Sequence, residues 1–490
     1  MHEEGKLRKD GIIFINPSLT AEDRYGIKVM VGGQTPPLGL THVAAMTLES
    51  GYRTEIVDAT VLGLSNEALI KLVVAGKYKY VGITGSTIAF DSMSSLAADV
   101  KKADKEITVI VGGPHVTAVP RESMRRCKDF DICVVGEADY SIVELLTCLE
   151  TKGDLRKIVG IVFRNNGELV DTGKRPPIKD LDRLPRPAWH LLPDFATWYR
   201  PPLHTVKRIP AALLVASRGC PGQCIFCDRS VFGNCLRAYS ARATFGLIKE
   251  LYYNYGIREV QIRDDNYLAF PNRLKELCEL IIAEKMDLVW TCAGRVDMVN
   301  PEMLALMKRS GCWQIWYGIE SGSQKILDFI KKRTTIEQIT KAVVMTKKMG
   351  INPCGFFIIG SPTESAETIR QTIDFALKLP LDEAHFSYMT PFPGSELYDV
   401  ASQYGTFDND WKKLHGWYPM FVTNGLTSEE LEHFSKTAFR RFYFRPRIIM
   451  SYLVRMKSWQ HVKYYFAGLL GLFQIMLRQT ASAGKTLSVK

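Results

Sequence analysis

A chain of 490 residues exceeds what one hydrophobic core usually holds and sets an expectation of about three domains. With 46% hydrophobic and 23% charged residues it reads as globular, not disordered or fibrous, and 11 scattered cysteines, an odd number, exclude a secreted disulfide framework. The net charge of +11 has one source: 11 Lys and Arg follow Glu432 with no acidic residue among them, and the 63 basic residues less these 11 match the 52 acidic ones, which removes the case for a globally basic nucleic-acid-binding surface.

The opening stretch, MHEEGKLRKDGIIFINPS, has no long apolar run or small-residue cleavage site of a secretion signal, so a cytoplasmic location is expected. From residue 11 to about 150, the apolar runs GIIFIN, TEIVD, YVGIT, TVIVGG and DICVVGE alternate with amphipathic stretches such as SNEALIKLVVAG. That rhythm predicts an α/β fold, a doubly wound Rossmann-like domain over residues 1–170 with about five parallel strands. Ligands of such sheets sit beyond the carboxyl ends of the strands. Here those ends carry Thr84, Gly85, Ser86 and Thr87, then Gly112 to Thr117, then Gly136 and Glu137, a set of small and polar residues that suits a binding crevice. Seven prolines in residues 171–205 predict an extended linker, and its Trp189, Leu191, Leu192 and Trp198 suggest that it packs on a domain. Over residues 206–395 six apolar runs, AALLVAS, EVQIRDD, LVWTCAG, QIWYGIE, GFFIIG and HFSYMTP, alternate with helical patterns and predict a parallel partial (β/α)6 barrel.

Residues 396–490 are expected to form a mostly helical extension. Its longest uncharged run, Tyr464 to Leu477, is too short to span a bilayer. A helix covering the open side of the barrel and an interfacial helix facing anionic lipid both fit this basic, aromatic segment. No RNA-binding module is recognisable, so no nucleic-acid partner is expected.

The chemistry concentrates at 218-RGCPGQCIFC-227, where Cys220, Cys224 and Cys227 are spaced C-x3-C-x2-C just past the first barrel strand. Three thiolates do not close a structural zinc tetrahedron unless Cys235, eight residues on, joins them. Buried structural thiols are a second reading, against which Gly219, Pro221 and Gly222 mark an exposed loop. A 4Fe-4S cubane with one iron left open suits three thiolates directly.

That motif, together with 261-QIRDDNY-267, 292-CAGRVD-297, 317-YGIESGS-323, 355-GFFIIGSPTES-365 and 390-TPFPGS-395, resembles the strand-end signatures of the radical S-adenosylmethionine (SAM) superfamily. The sheet domain, with 36-PPLGL-40, the GGPHVT loop and the VGE strand end, is similar to the cobalamin-binding domain found ahead of such barrels. The whole chain resembles the cobalamin-dependent radical SAM enzymes, in the branch of the anaerobic magnesium-protoporphyrin ester cyclase and the hopanoid-modifying enzymes. The resemblance implies three cofactors: a 4Fe-4S cluster on Cys220, Cys224 and Cys227, SAM, and cobalamin. Phe226 would lie against adenine, Glu320 would meet the ribose or the SAM ammonium, Arg295 would meet the SAM carboxylate, and Gly318 and Ser321 would complete that site. Glu320 and Arg295 paired with each other across the barrel mouth is the plainer alternative, and of Asp264 and Asp265 at most one faces the site.

For cobalamin the implied contacts are Pro37, Leu38, Gly39, Thr84, Ser86, Thr87, Gly112, Gly113, His115, Gly136 and Glu137. The nearest match to the D-x-H-x-x-G motif that supplies a cobalt-binding histidine is 58-DATVLG-63, where Thr60 replaces the histidine. Cobalamin without a protein histidine on cobalt is therefore expected. His115 is read as a contact to the corrin side chains or a turn cap. The implied reaction is modification of an unactivated carbon in a small or lipid-like molecule, by methyl transfer or by cyclisation, ring contraction or oxidation, with a flavodoxin or ferredoxin as reductant. A tRNA methylthiotransferase would need a second cysteine trio in its N-terminal domain, and a non-catalytic cobalamin sensor would leave the barrel motifs without a role.

Overall fold

The computed structural model describes residues 9–25, 33–199, 201–202 and 205–455. Strands β1 (Lys9–Asn16), β2 (Tyr52–Asp58), β3 (Tyr80–Thr84), β4 (Thr108–Gly112) and β5 (Ile132–Val134) are parallel in the order β2-β1-β3-β4-β5. They read as near-continuous apolar runs because helices cover both faces; Ile12, Ile13, Phe14 and Ile15 of β1 are all buried. Chain order reverses between β1 and β3, which places the ligand crevice beyond their carboxyl ends. Two antiparallel strands, β6 (Ile161–Asn165) and β7 (Glu168–Asp171), extend the sheet past the five expected strands. Their two-residue turn holds Asn166 and Gly167 at φ of 50° and 86°, the left-handed pair that a tight hairpin requires.

The Pro-rich segment is packed against the two units, with Ile178, Leu181, Leu184, Ala188 and Trp189 buried. Trp198, expected to pack, is 39% exposed, because it ends the short helix Phe195–Trp198 whose buried side is taken by Phe195.

Strand β8 (Ala211–Leu214) opens the second unit, and a two-residue ribbon follows, β9 (Ser217–Arg218) with β10 (Arg237–Ala238). Then come β11 (Glu259–Ile262), β12 (Val289–Gly294), β13 (Cys312–Glu320), β14 (Asn352–Ile359) and β15 (Glu383–Tyr388). With β8 they form one parallel six-stranded sheet in chain order whose edge strands are β8 and β15, the predicted partial barrel. The outer helices start on side-chain caps: Ser240 accepts from the Ala243 amide, and Thr335 and Ser365 form capping boxes.

Helix Ser428–Tyr443 covers edge strand β15, where Leu431, Phe434 and Ala438 pack on Ile359, Ile369, Ile373 and Tyr388. The Tyr443 hydroxyl donates to the Ala384 carbonyl at 2.8 Å, satisfying an edge group. The extension is not wholly helical: β16 (Gly405–Phe407) and β17 (Phe421–Thr423) form a hairpin whose connection returns Trp411 to the first unit. No described helix is long and apolar enough to cross a membrane, and the run 464–477 lies outside the described residues.

Candidate functional site

The β9–β10 ribbon closes a loop at residues 219–236 over the mouth of the barrel. Gly219, at φ 87°, turns the chain where a side chain would strike the Cys235 carbonyl. The loop folds on itself through Cys220 N to Gly233 O (3.4 Å), Cys227 N to Cys224 O (3.2 Å) and Arg229 Nη1 to Gly222 O (2.7 Å), and Ile225 N anchors it to Ile330 O at 3.2 Å. Cys224 is buried, Cys220 half-buried and Cys227 exposed, so the trio opens to one side. The Gly222 amide donates to Cys220 Sγ at 3.4 Å. A hydrogen bond from Cys227 outweighs burial and lowers the Cys224 pKa to about 6, with positive charge from Lys332 and then Arg295 adding to the effect. The other two thiols shift the opposite way, Cys220 through burial and Cys227 through its hydrogen bond to Cys224 and then burial, so Cys224 is the member of the trio disposed toward thiolate, the form that binds iron. Cys235 is outside the group of residues lining the space in front of the trio.

That space is a cavity of about 700 Å³ which the three cysteines share with the carboxyl rim of the first sheet. Pro37, Leu38 and Gly39 line it, as do Thr84 and Ser86, Gly112 and Gly113, and Gly136 and Glu137. Gly113, at φ 103°, brings the chain so close to β3 that a Cβ would lie 2.7 Å from Thr84 Oγ1, whereas a Cβ on Gly112 would meet nothing within 4 Å and would project into open space.

Two rim assignments are corrected. His115 does not line the cavity: Pro114 starts the short helix Pro114–Ala118, which turns the imidazole back into the core, 4.2 Å from the Trp411 ring and 5.0 Å from Phe90. Burial, aided by the Arg126 charge, lowers its pKa to about 4. Thr87 starts a short turn behind the rim with its hydroxyl 3.3 Å from His115 Nδ1. The stretch 58-DATVLG-63 does not line the cavity and stands behind Asn16, which does. Asp58 caps Val61 N and binds Asn16 at 2.9 Å, and Thr60 donates to Pro17 O at 2.8 Å. Glu137 lines the cavity with its carboxylate held by Arg218 and Arg237.

Around the barrel mouth the structure replaces the Glu320 to Arg295 pairing with two separate arrangements. Glu320, at φ 67° on the end of β13, accepts from Lys332 Nζ at 2.7 Å, and both side chains are under 10% exposed. Gly318 leaves room for that pair, since a Cβ there would sit 2.7 Å from Lys332 Nζ. Arg295 forks onto Asp297 with two 3.0 Å bonds and donates to the Lys332 and Arg333 carbonyls, so most of its donors are engaged. Ser321 is fully buried and shares a 3.0 Å bond with Thr372, pointing into the surrounding helices. Phe226 packs partly buried against the barrel core. Asp264 is buried and accepts from Ala216 N at 2.6 Å, while Asp265 lines the cavity beside Cys220. Burial raises the pKa of both.

Of Asp264 and Asp265 it is Asp265 that lines the cavity, and among the polar cavity residues that sequence reading missed are His42, Asp139 and Arg218. His42 is 8% exposed, and burial, with Arg218 adding to it, lowers its pKa to about 4, so the imidazole is neutral at pH 7. It lies three positions beyond Gly39 on helix Leu38–Glu49, one helical turn from the expected PPLGL contact, and that spacing was the available signal.

Fold and site define an α/β protein in which an open three-cysteine loop on a partial barrel faces the ligand edge of a doubly wound sheet across one shared cavity. Residues 214–376 match the model of the radical SAM superfamily, and residues 26–146 match that of the B12 binding domain. An uncharacterized methyltransferase of Pyrococcus horikoshii is 33% identical over 426 residues, covering 86% of this chain and 91% of that one. The anaerobic magnesium-protoporphyrin IX monomethyl ester cyclase of Rubrivivax gelatinosus is 26% identical over 446 residues, covering 89% and 78%. Among solved structures, the radical S-adenosylmethionine methyltransferase TsrM of Kitasatospora setae superposes with a TM-score of 0.65 at 16% identity, covering 81% of this chain and 75% of that one. The chain belongs to the cobalamin-binding radical SAM family.

Residues and cofactors fit. Three thiols on one loop leave one iron of a cubane without a protein ligand. The glycines at Gly112, Gly113 and Gly136 leave a rim without side chains, against which a flat, bulky ring system can approach.

Proposed function

We propose that this protein is a cobalamin-dependent radical SAM enzyme that installs a methyl group on an unactivated carbon. When bound, the cluster and SAM supply a 5′-deoxyadenosyl radical for hydrogen abstraction, and cobalamin supplies the methyl group. The observation that carries the reading is the single cavity onto which both the cysteine trio and the glycine rim open. Cys220, Cys224 and Cys227 hold the iron. Pro37, Leu38, Gly39, Thr84, Ser86, Gly112, Gly113 and Gly136 form the corrinoid contact. Glu320, paired with Lys332 at 2.7 Å, offers a carboxylate for the SAM ribose or ammonium, with Phe226 beside the adenine. The carboxylate clamp remains assigned to Arg295 through its one uncommitted N–H. Apolar lining from Phe14, Leu40, Val43 and Ile110 helps to exclude water from radical chemistry. The Pyrococcus relative carries a methyltransferase name, which favours methyl transfer, and the Rubrivivax relative keeps oxidative cyclisation as the second reading.

A flavodoxin or ferredoxin as electron donor, and a lipid-like substrate reached by peripheral membrane contact, complete the proposal. Phe444, Ile449 and Met450 are exposed at 55%, 43% and 57% on the same segment as Arg440, Arg441, Arg445 and Arg447, which supports contact with an anionic apolar surface. The test is anaerobic incubation of reconstituted protein with SAM, reductant and cell extract. Methylated product with S-adenosylhomocysteine supports methyl transfer. 5′-Deoxyadenosine without methyl transfer supports the cyclase reading.

A further inference from the structure

Two residues from each unit meet in a buried group of charges. Arg218 Nη1 donates to Glu137 Oε2 at 2.9 Å and to Asp139 Oδ2 at 2.8 Å, and Arg218 Nη2 donates to Asp139 Oδ1 at 3.0 Å. Arg237 donates to the other Glu137 oxygen, to the Ile178 carbonyl at 3.0 Å, and to the Phe232 and Cys235 carbonyls at 2.9 and 3.1 Å. All four charged side chains are at most 5% exposed. Burial alone would raise the Asp139 pKa, yet the charge and hydrogen bonds of Arg218 hold it below the ordinary carboxylate range.

The placement is informative. Arg218 and Arg237 are direct cross-strand partners in the β9–β10 ribbon, one at each end of the cysteine loop. Like charges facing each other across a ribbon oppose its formation. Here Glu137, at the rim after β5, sits between them and Asp139 stands one residue into the following helix, so the ribbon is neutralised only when docked on the rim. Both ends of the loop that carries the thiolates are thus tied to the edge that carries the corrinoid contacts, and the Ile178 carbonyl ties in the Pro-rich segment as well. A buried pair is weak evidence for stability, since apolar residues in its place often serve as well; its attested use is fixing one arrangement among several.

We propose that Arg218, Arg237, Glu137 and Asp139 form a clamp that fixes the separation and angle between the cysteine loop and the corrinoid rim, which makes the two arginines positioning residues for the meeting of the two cofactors. The proposal rests on the reading that the cavity holds both. The cysteine loop and the corrinoid rim are built on separate sheets whose cores interlock through residues such as Val61 and Tyr239, so a loosened clamp lets each unit keep its cofactor while their spacing changes. Arg237 lines no part of the cavity, so its replacement removes a clamp contact without touching bound ligand.

The test uses full-length protein reconstituted with iron, sulfide and cobalamin, with the cluster reduced and cobalt in the cob(II)alamin state, both paramagnetic. Pulsed electron paramagnetic resonance reads their magnetic coupling and hence their separation. Wild type should give one narrow distance. Arg237→Gln on the loop side and Asp139→Asn on the rim side should both lengthen or broaden it, with iron and cobalt content retained. Arg218→Lys, which keeps the charge and loses the fork, serves where the glutamine variant does not fold. In the same samples S-adenosylhomocysteine formation should fall on the order of 10²-fold for a displacement of ~1 Å, with 5′-deoxyadenosine formation retained. An unchanged distance in variants from both sides, with full cofactor content, would overturn the clamp. Wild-type protein that takes up iron and no cobalt would overturn the two-cofactor reading and the clamp with it.

Discussion

Lys332→Met is the sharpest test of the barrel mouth. Lys332 Nζ lies 2.7 Å from Glu320 Oε1 with both side chains under 10% exposed, and Glu320 is held in left-handed backbone at φ 67°. Removing the ammonium leaves a buried carboxylate with no cation in contact, a change that costs about 3–5 kcal/mol. For a unit of barrel size each 1 kcal/mol lowers the melting temperature by about 2–4 °C, so the drop should be roughly 6–20 °C. The assay is anaerobic thermal unfolding, followed by circular dichroism, of protein without cofactors, so that loss of SAM binding does not enter. Adding Glu320→Leu to Lys332→Met should recover most of the loss, because a vacated pair packed with apolar groups is often neutral or stabilising. If Lys332→Met melts within about 2 °C of wild type, under the shift expected for 1 kcal/mol, the pair is not formed as described and its role in ordering the SAM site falls.

Three further outcomes are expected. His115→Ala should cost about 2 kcal/mol through the space left beside Trp411 and Phe90, and equilibrium binding should show hydroxocobalamin affinity and spectrum unchanged; a changed cobalt nitrogen splitting would show that His115 does reach cobalt, against the expectation of no protein histidine there. Glu364 accepts amide hydrogen bonds from Gly360 and Ser361, and burial raises its pKa from 4.5 to about 7. A folded pKa above the unfolded one gives stability that is full below pH 4.5 and lost as pH rises through 7, so Glu364→Gln should flatten the fall that urea unfolding measures over that window. Full-length protein should float with anionic liposomes at low salt and less at high salt, and a chain carrying Phe444→Ser, Ile449→Ser and Met450→Ser should float less; equal flotation of the variant would remove these exposed side chains from the argument.

The alternation of buried strands and helices was legible because parallel strands covered on both faces read as unbroken apolar runs such as YVGI and VIVGG. The β6–β7 hairpin had a signal too, the Asn166-Gly167 pair between short apolar runs, which stands out less because a hairpin departs from the helix-strand alternation around it. The cysteine trio was legible since its ligands lie within eight residues of one another. Partnerships set by tertiary packing were not. Lys332 reaches Glu320 from 12 residues away, and Arg218 meets Asp139 across 79 residues, so neither pairing leaves a local pattern. His115 illustrates the opposite error. A histidine in a glycine-rich rim loop looks like a ligand contact, yet one turn of helix starting at Pro114 carries it from the crevice to the core.

The central claim is that one cavity takes both an iron–sulfur cluster and a corrinoid, and metal content measures it most directly. Anaerobically reconstituted protein analysed by mass spectrometry of its metals should contain about four irons and about one cobalt per chain, the content of one cubane and one corrinoid. Iron should be lost in Cys220→Ala, Cys224→Ala and Cys227→Ala, with cobalt retained, and both metals should be retained in Cys235→Ala. Iron retained in Cys224→Ala but lost in Cys235→Ala, or wild-type protein with no bound cobalt, would contradict the account.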